Sequence, residues 1–192
     1  IKDIKFWIFD LDNTLYPSST NLFSGIDKLM ASFITQNLNV SHEEAIQMKN
    51  DYFQKHGTTL NGLIKHHNID PHHFLEFVHN IDYSFLNKNE KLNKEIKSLP
   101  GKKIIFTNGS KKHANNVISN LQLDENLFSI FDIVDSDFVP KPERSPYERL
   151  IKKYDIIPEQ SIFFEDIARN LKPAHDLGMK TGWVINEDNW AK

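Results

Sequence analysis

Phe6-Trp7-Ile8-Phe9-Asp10-Leu11-Asp12-Asn13-Thr14 passes from apolar to acidic residues within a single step of the chain. The apolar string Ile4–Phe9, rich in β-branched and aromatic residues, meets the acidic, turn-prone Asp10–Thr14, a pattern that predicts a buried strand followed at once by a loop. The acidic pair then lies at the carboxyl end of a strand. Lys103–Thr107, Ile130–Val134 and Ser161–Glu165 repeat the theme, and Thr181–Ile185 is a fifth candidate. Helical patterns separate them over Lys111–Leu121, Ser145–Tyr154 and Ala168–Leu177, the last closed by Gly178. Strands alternating with helices imply parallel pairing through right-handed crossovers, hence a doubly wound, Rossmann-like α/β sheet.

Between the first and second strands the texture changes. From Asn21 to Ser98 helical periodicity runs with almost no strand signal, and Ser41 with Glu44 forms a capping-box pattern ahead of Ala45, Ile46 and Met48. Gly57 and the Pro71 turn punctuate four or five short helices. The expected organisation is an α/β core from residues 1–20 and 99–192, with a helical cap over 21–98. An insertion after the first strand emerges beside the acidic loop, where a lid can cover the strands' carboxyl ends.

Composition narrows the function. The 192 residues suit one compact domain with a modest insertion, and 23 basic against 26 acidic residues give a net charge of -3. No whole-chain cationic field exists for a nucleic acid polymer or an anionic membrane. Cysteine is absent, which excludes disulfides, thiolate nucleophiles, zinc–thiolate sites and iron–sulfur clusters, and suits a cytoplasmic protein. No apolar run reaches the length of a membrane span, and the opening residues are too short and too acidic for a signal peptide.

Four successive strands end in chemistry: Asp10 and Asp12, Thr107 and Asn108, Lys141 shortly after the third, and Glu165 with Asp166. A doubly wound sheet brings all these ends to one edge. Carboxylates gathered there repel one another unless a cation lies among them, and an all-oxygen donor set points to Mg2+. Its charge, Lys141, a threonine hydroxyl and N–H groups at a helix start form a cradle for a phosphoryl group. Two acids that flank one residue cannot both do the same work if the backbone points them in different directions, and their roles then divide. Asp10 is placed to attack phosphorus, and Asp12 to protonate the leaving oxygen and later deprotonate water. Pro140 and Pro142 fix the backbone on both sides of Lys141. Thr14 reads equally as a turn hydroxyl or a phosphate contact.

These motifs, in this order, resemble those of the haloacid dehalogenase-like phosphohydrolases. The resemblance implies Asp10 as nucleophile and metal ligand, Asp12 as acid/base with its carbonyl on magnesium, and Asp166 as the remaining protein ligand, with Glu165 acting through a water. It also implies Thr107 and Lys141 on the phosphate, with Asn108 as a further donor. FDLDNTLYPSS, IDYSFL, IFTNGS, PKP and FFEDIARNL, as they stand here, are similar to the pyrimidine 5'-nucleotidase branch of that family. That likeness implies removal of phosphate from a nucleoside monophosphate such as UMP or CMP beneath a helical cap. The alternatives are a broad-specificity small-molecule or sugar-phosphate phosphatase, a phosphomutase, or a catalytically silent phosphate-binding module. Carbon–halogen cleavage is disfavoured, since it leaves no alkoxide in need of a proton from Asp12.

The remaining signals are weaker. His66-His67 and His72-His73 place neighbours on different helix faces, so the nine histidines are expected at surfaces or caps. His79–Tyr83 and Gly57–Leu63 fall in the insertion, where they either read a base or ribose or, for Tyr83 and Phe85, pack the hinge. Phe163 and Phe164 read as core, and Trp183 and Trp190 carry no functional signal.

Overall fold

The computed structural model describes residues 3–186. Its centre is β1 (Phe6–Phe9), all four of whose residues are buried. Such a strand needs cover on both faces, and alternation supplies two apolar sets. Phe6 and Ile8 face one layer with Ile104, Phe106, Phe131 and Phe163, while Trp7 and Phe9 face the other with Ile105 and Ile130. β2 (Lys102–Phe106), β3 (Phe128–Phe131), β4 (Ser161–Glu165) and β5 (Lys180–Trp183) complete a five-stranded sheet in the order β3-β2-β1-β4-β5. Every pairing is parallel, with Ile8 in register with Ile104 on one side and Phe163 on the other. This is the Rossmann-like α/β sheet that the alternation of elements implies.

Helices cover both faces. α6 (Lys111–Asn120) packs Ala114, Val117 and Ile118 against the Trp7 side. α7 (Arg144–Tyr154) and α8 (Ala168–Asp176) place Tyr147, Leu150 and Ala174 on the Phe6 side. The third strand ends at Phe131, before the expected Val134. Asp132 Oδ1 accepts the amides of Val134 at 3.1 Å and Asp135 at 3.0 Å, which folds the chain into a turn instead.

The insertion contains α1 (Leu22–Leu38), α2 (His42–His56), α3 (Thr59–His67), α4 (Pro71–Val78) and α5 (Glu90–Ser98). The Ser41 and Glu44 pair makes both bonds of a capping box, at 3.2 and 2.8 Å. α1 to α4 share a core around Phe33, which Ile133 of the loop after β3 also joins, and the Phe33 ring meets Phe74 edge-on at 5.1 Å. Gly62 is required where α2 and α3 cross, because a Cβ there would lie 2.3 Å from Tyr52 Cγ. Ile96 of α5 packs instead with Trp7, Leu11 and Val117 beside the sheet. Among the described residues no helix is long and apolar enough to cross a membrane.

Candidate active site

The carboxyl end of β1 is shaped by its own backbone. Asp10 N donates to Phe164 O at 2.8 Å, extending the sheet, and the chain then turns so that Leu15 N reaches Leu11 O at 3.0 Å. Asn13 takes the left-handed conformation with φ 60°, which asparagine tolerates better than most residues. Asn186 Nδ2 fastens this turn by donating to Asn13 O at 3.1 Å.

Asp10 and Asp12 leave that turn toward different partners. Asp10 Oδ1 accepts from Lys141 Nζ at 2.6 Å, and the same ammonium donates to Glu165 Oε2 at 2.7 Å and Phe106 O at 2.9 Å. Asp10, Glu165 and Asp166 each offer a carboxylate oxygen within 4.8 Å of the others, and all three are buried. One ammonium faces three acids. Burial, then the charge of Glu165, pushes the Asp10 carboxyl up to about 7 against the pull of Lys141. Burial and the charges of Asp10 and Glu165 push Asp166 up to about 9. Burial disfavours the Lys141 charge, but Asp10 and Glu165 outweigh it and hold that ammonium above the ordinary lysine range. Asp166 Oδ2 is buried without a hydrogen-bond partner. Hard oxygen donors, surplus negative charge and an orphaned carboxylate oxygen together fit a small divalent cation.

Asp12 is held by neutral or basic neighbours. Its Oδ1 accepts from Tyr16 Oη at 2.5 Å and pairs with His113 Nε2 at 2.8 Å. Burial raises the Asp12 carboxyl, but the attraction and hydrogen bond of His113, joined by Tyr16, prevail and bring it below the usual range.

The remaining expected residues divide. Thr107, buried at the end of β2, accepts Gly109 N on Oγ1 at 2.9 Å. Asn108 braces the Lys141 backbone, its Oδ1 accepting from N at 2.9 Å and its Nδ2 donating to O at 3.4 Å. Asp10, Asp12, Thr107, Asn108, Lys141 and Asp166 line one cavity of about 710 Å³, whose far wall is formed by α1 to α4. Thr14 is not among its lining residues, and its Oγ1 is buried without a partner.

Several site residues escape the sequence reading. The expectation of surface or cap histidines fails at His113, which is fully buried, and His79 lines the cavity. Burial, then the charge of His113, pushes His79 down to about 3. Trp183, read as silent, donates from Nε1 to Asp166 O at 2.9 Å and so holds that loop; Trp190 lies outside the described residues. Of the hinge aromatics, Tyr83 is partly buried and hydrogen-bonded, whereas Phe85 is exposed. The FFEDIARNL wording contains Arg169, and Tyr16 follows Asp12 by one helical turn, so both were visible as positions though not as partners.

Comparison with known proteins bears on the family and the fold. The model of the haloacid dehalogenase-like hydrolases matches residues 7–184, and the chain belongs to that family. Phosphate metabolism protein 8 of Saccharomyces cerevisiae is 28% identical over 200 residues, which cover 95% of this chain and 61% of that protein. The chain thus spans about three fifths of the length of that relative. Among solved structures, the L-2-haloacid dehalogenase of Xanthobacter autotrophicus aligns with a TM-score of 0.57 at 16% identity, covering 98% of this chain and 80% of its own. YfnB, a magnesium-bound hydrolase from Bacillus subtilis, aligns with a TM-score of 0.56 at 17% identity, covering 94% and 86%.

Proposed function

We propose that this hydrolase is a magnesium-dependent phosphomonoesterase, acting on small phosphate esters and foremost on pyrimidine nucleoside monophosphates. One observation carries the reading: Asp10 faces Lys141 and the acidic cluster, while Asp12 faces Tyr16 and His113. Two acids in such different surroundings suit a nucleophile and a proton carrier. The relative named for phosphate metabolism supports phosphate chemistry, and magnesium in YfnB supports the cation.

In this mechanism the substrate phosphate lies between Asp10 and Thr107, with Lys141 neutralising charge. An Asp10 oxygen forms a bond to phosphorus as the ester P–O bond breaks, and the electron pair leaves with the ester oxygen. That oxygen takes a proton from Asp12. Water then attacks phosphorus and gives a proton to Asp12, while the bond to Asp10 breaks and its electron pair returns to the carboxylate. The arriving phosphate's negative charge opposes the pull of His113 and Tyr16, favouring the protonated Asp12 that the first step needs. Asp10, Asp166 and the Asp12 carbonyl would hold magnesium, with Glu165 acting through a water. When bound, the ion offsets the charge of the carboxylates and the phosphoryl oxygens. Asn108 positions Lys141, and α1 to α4 act as the lid, α5 being packed beside the sheet.

A haloacid dehalogenase has the same fold, but a departing halide needs no proton and gives Asp12 and its two partners no task. The deciding experiment is a phosphate-release screen over nucleoside monophosphates and sugar phosphates with magnesium. Release of inorganic phosphate, fastest from UMP or CMP, is expected. Isomer formation without release would indicate a mutase, and inertness toward every ester would refute the reading.

A further inference from the structure

Asp12 makes both of its hydrogen bonds through the same oxygen. Tyr16 and His113 converge on Oδ1, which fixes the plane of the carboxylate and leaves Oδ2 for proton transfer. Tyr16 belongs to the same turn as Asp12. His113 comes from α6, and its partners explain its placement.

Its backbone is set by Ser110, whose Oγ accepts His113 N at 3.2 Å at the start of α6. Its ring is fully buried and lies flat against His79, with centroids 4.3 Å apart and planes 6° from parallel. Nδ1 meets the Tyr83 hydroxyl at 2.9 Å, and that hydroxyl donates to His79 O at 3.1 Å. Tyr83 thus bridges the His113 ring to the His79 carbonyl. His79 closes α4 of the cap, its N–H reaching Leu75 O at 3.2 Å. An unbroken chain of contacts therefore runs from the end of the cap, through Tyr83 and His113, to one oxygen of Asp12.

We infer that His113 is a positioning residue for Asp12 and that Tyr83 ties this positioning to the cap. The inference rests on the acid/base reading of Asp12. Its chemical consequence depends on the leaving group. An alkyl ester needs the proton from a correctly aimed Asp12 as its P–O bond breaks. A p-nitrophenolate leaves without one, so misdirection of Asp12 should not slow its departure. A merely structural His113 has no such dependence.

The experiment compares kcat/KM for UMP and p-nitrophenyl phosphate in the wild type, His113→Ala, His113→Gln, Tyr83→Phe and Asp12→Asn. kcat/KM reports the reaction up to the first irreversible bond cleavage. His113→Ala is expected to lose about 100-fold on UMP and less than about 3-fold on the aryl ester. Glutamine, which can still donate to Oδ1, should recover about tenfold of that loss. Tyr83→Phe, which keeps the ring, should lose about fivefold on UMP alone; it carries the same comparison should the alanine variant not fold. Equal losses on both esters, or none, in Tyr83→Phe or a folded His113→Ala would overturn the inference. Asp12→Asn separates the two levels. If it is inactive on UMP while the other variants show no ester dependence, the relay alone is wrong; if it retains wild-type activity, the acid/base reading falls and the relay with it.

Discussion

Lys49 of α2 and Asp27 of α1 form an ion pair in the cap wall of the cavity, with Lys49 buried and Asp27 half-exposed. They are the only charged described residues lining the cap side, apart from the depressed His79. Their charges cancel, so this wall presents no net charge to a ligand.

Asp27→Asn should therefore shift selectivity toward doubly phosphorylated substrates. We expect the kcat/KM ratio of a bisphosphate to a monophosphate to rise about tenfold. The same change leaves a buried ammonium without its partner and should cost about 1–3 kcal/mol of stability, less than a fully buried pair would because Asp27 reaches water. Lys49→Met should cost less than Asp27→Asn. Steady-state kinetics and thermal denaturation read the two effects separately.

Arg169 joins core to cap. Its guanidinium lies 4.4 Å from the centroid of the Phe53 ring, and Nη2 donates to Phe53 O at 3.3 Å and Gly57 O at 3.5 Å. Arg169→Met removes the charge and the fork of donors and should loosen the end of α2. KM for a nucleoside monophosphate should rise about fivefold while kcat falls less than about twofold. Limited proteolysis near Gly57 should accelerate in the same variant.

His79 gives a stability prediction with a definite sign. Its folded pKa of about 3 lies below histidine's ordinary 6.5, so the unfolded chain binds the extra proton. Its contribution is present above pH 6.5 and declines as pH falls toward 3. At pH 5 the loss should reach about 1–2 kcal/mol. In urea titrations, His79→Gln should flatten the wild-type decline between pH 7 and pH 5 by about that amount.

The acidic cluster predicts opposite effects of one mutation with and without metal. Without metal, Asp166→Asn removes a crowded carboxylate and should raise the melting temperature by a few degrees, equivalent to about 1 kcal/mol. Magnesium at about 100 times its Kd should stabilise the wild type by about 2.7 kcal/mol and the variant far less. EDTA should stop hydrolysis, and added magnesium should restore it. Differential scanning calorimetry with matched activity assays checks both halves.

The sheet was legible because its evidence is local. The apolar run before Asp10 and the Ser161–Glu165 run carry their strand signals in four or five residues, and both strands form where the pattern puts them. β3 was misplaced because the Asp132 side chain captures the amide of Val134, which the strand pattern assigned to the ladder, and that of Asp135 beyond it. The ends of consecutive strands named Asp10, Thr107, Lys141, Glu165 and Asp166 through topology alone. His113 was not legible: it stands on α6 with no local motif, and its partners Asp12 and Tyr83 lie 101 and 30 residues away. Separations of 116 and 17 residues likewise hide Arg169 from Phe53 and Trp183 from Asp166. A single sequence marks the end of a strand, but not the side chain that another element brings to it.

The claim that Asp10 captures phosphorus is tested most directly by quenching the enzyme in acid during turnover and locating any covalent phosphoryl group by mass spectrometry. One phosphoryl group on Asp10, lost on mild alkaline treatment, is expected, with neither adduct nor turnover in Asp10→Asn. Substantial turnover by Asp10→Asn, or a phosphoryl group on another residue, would contradict it.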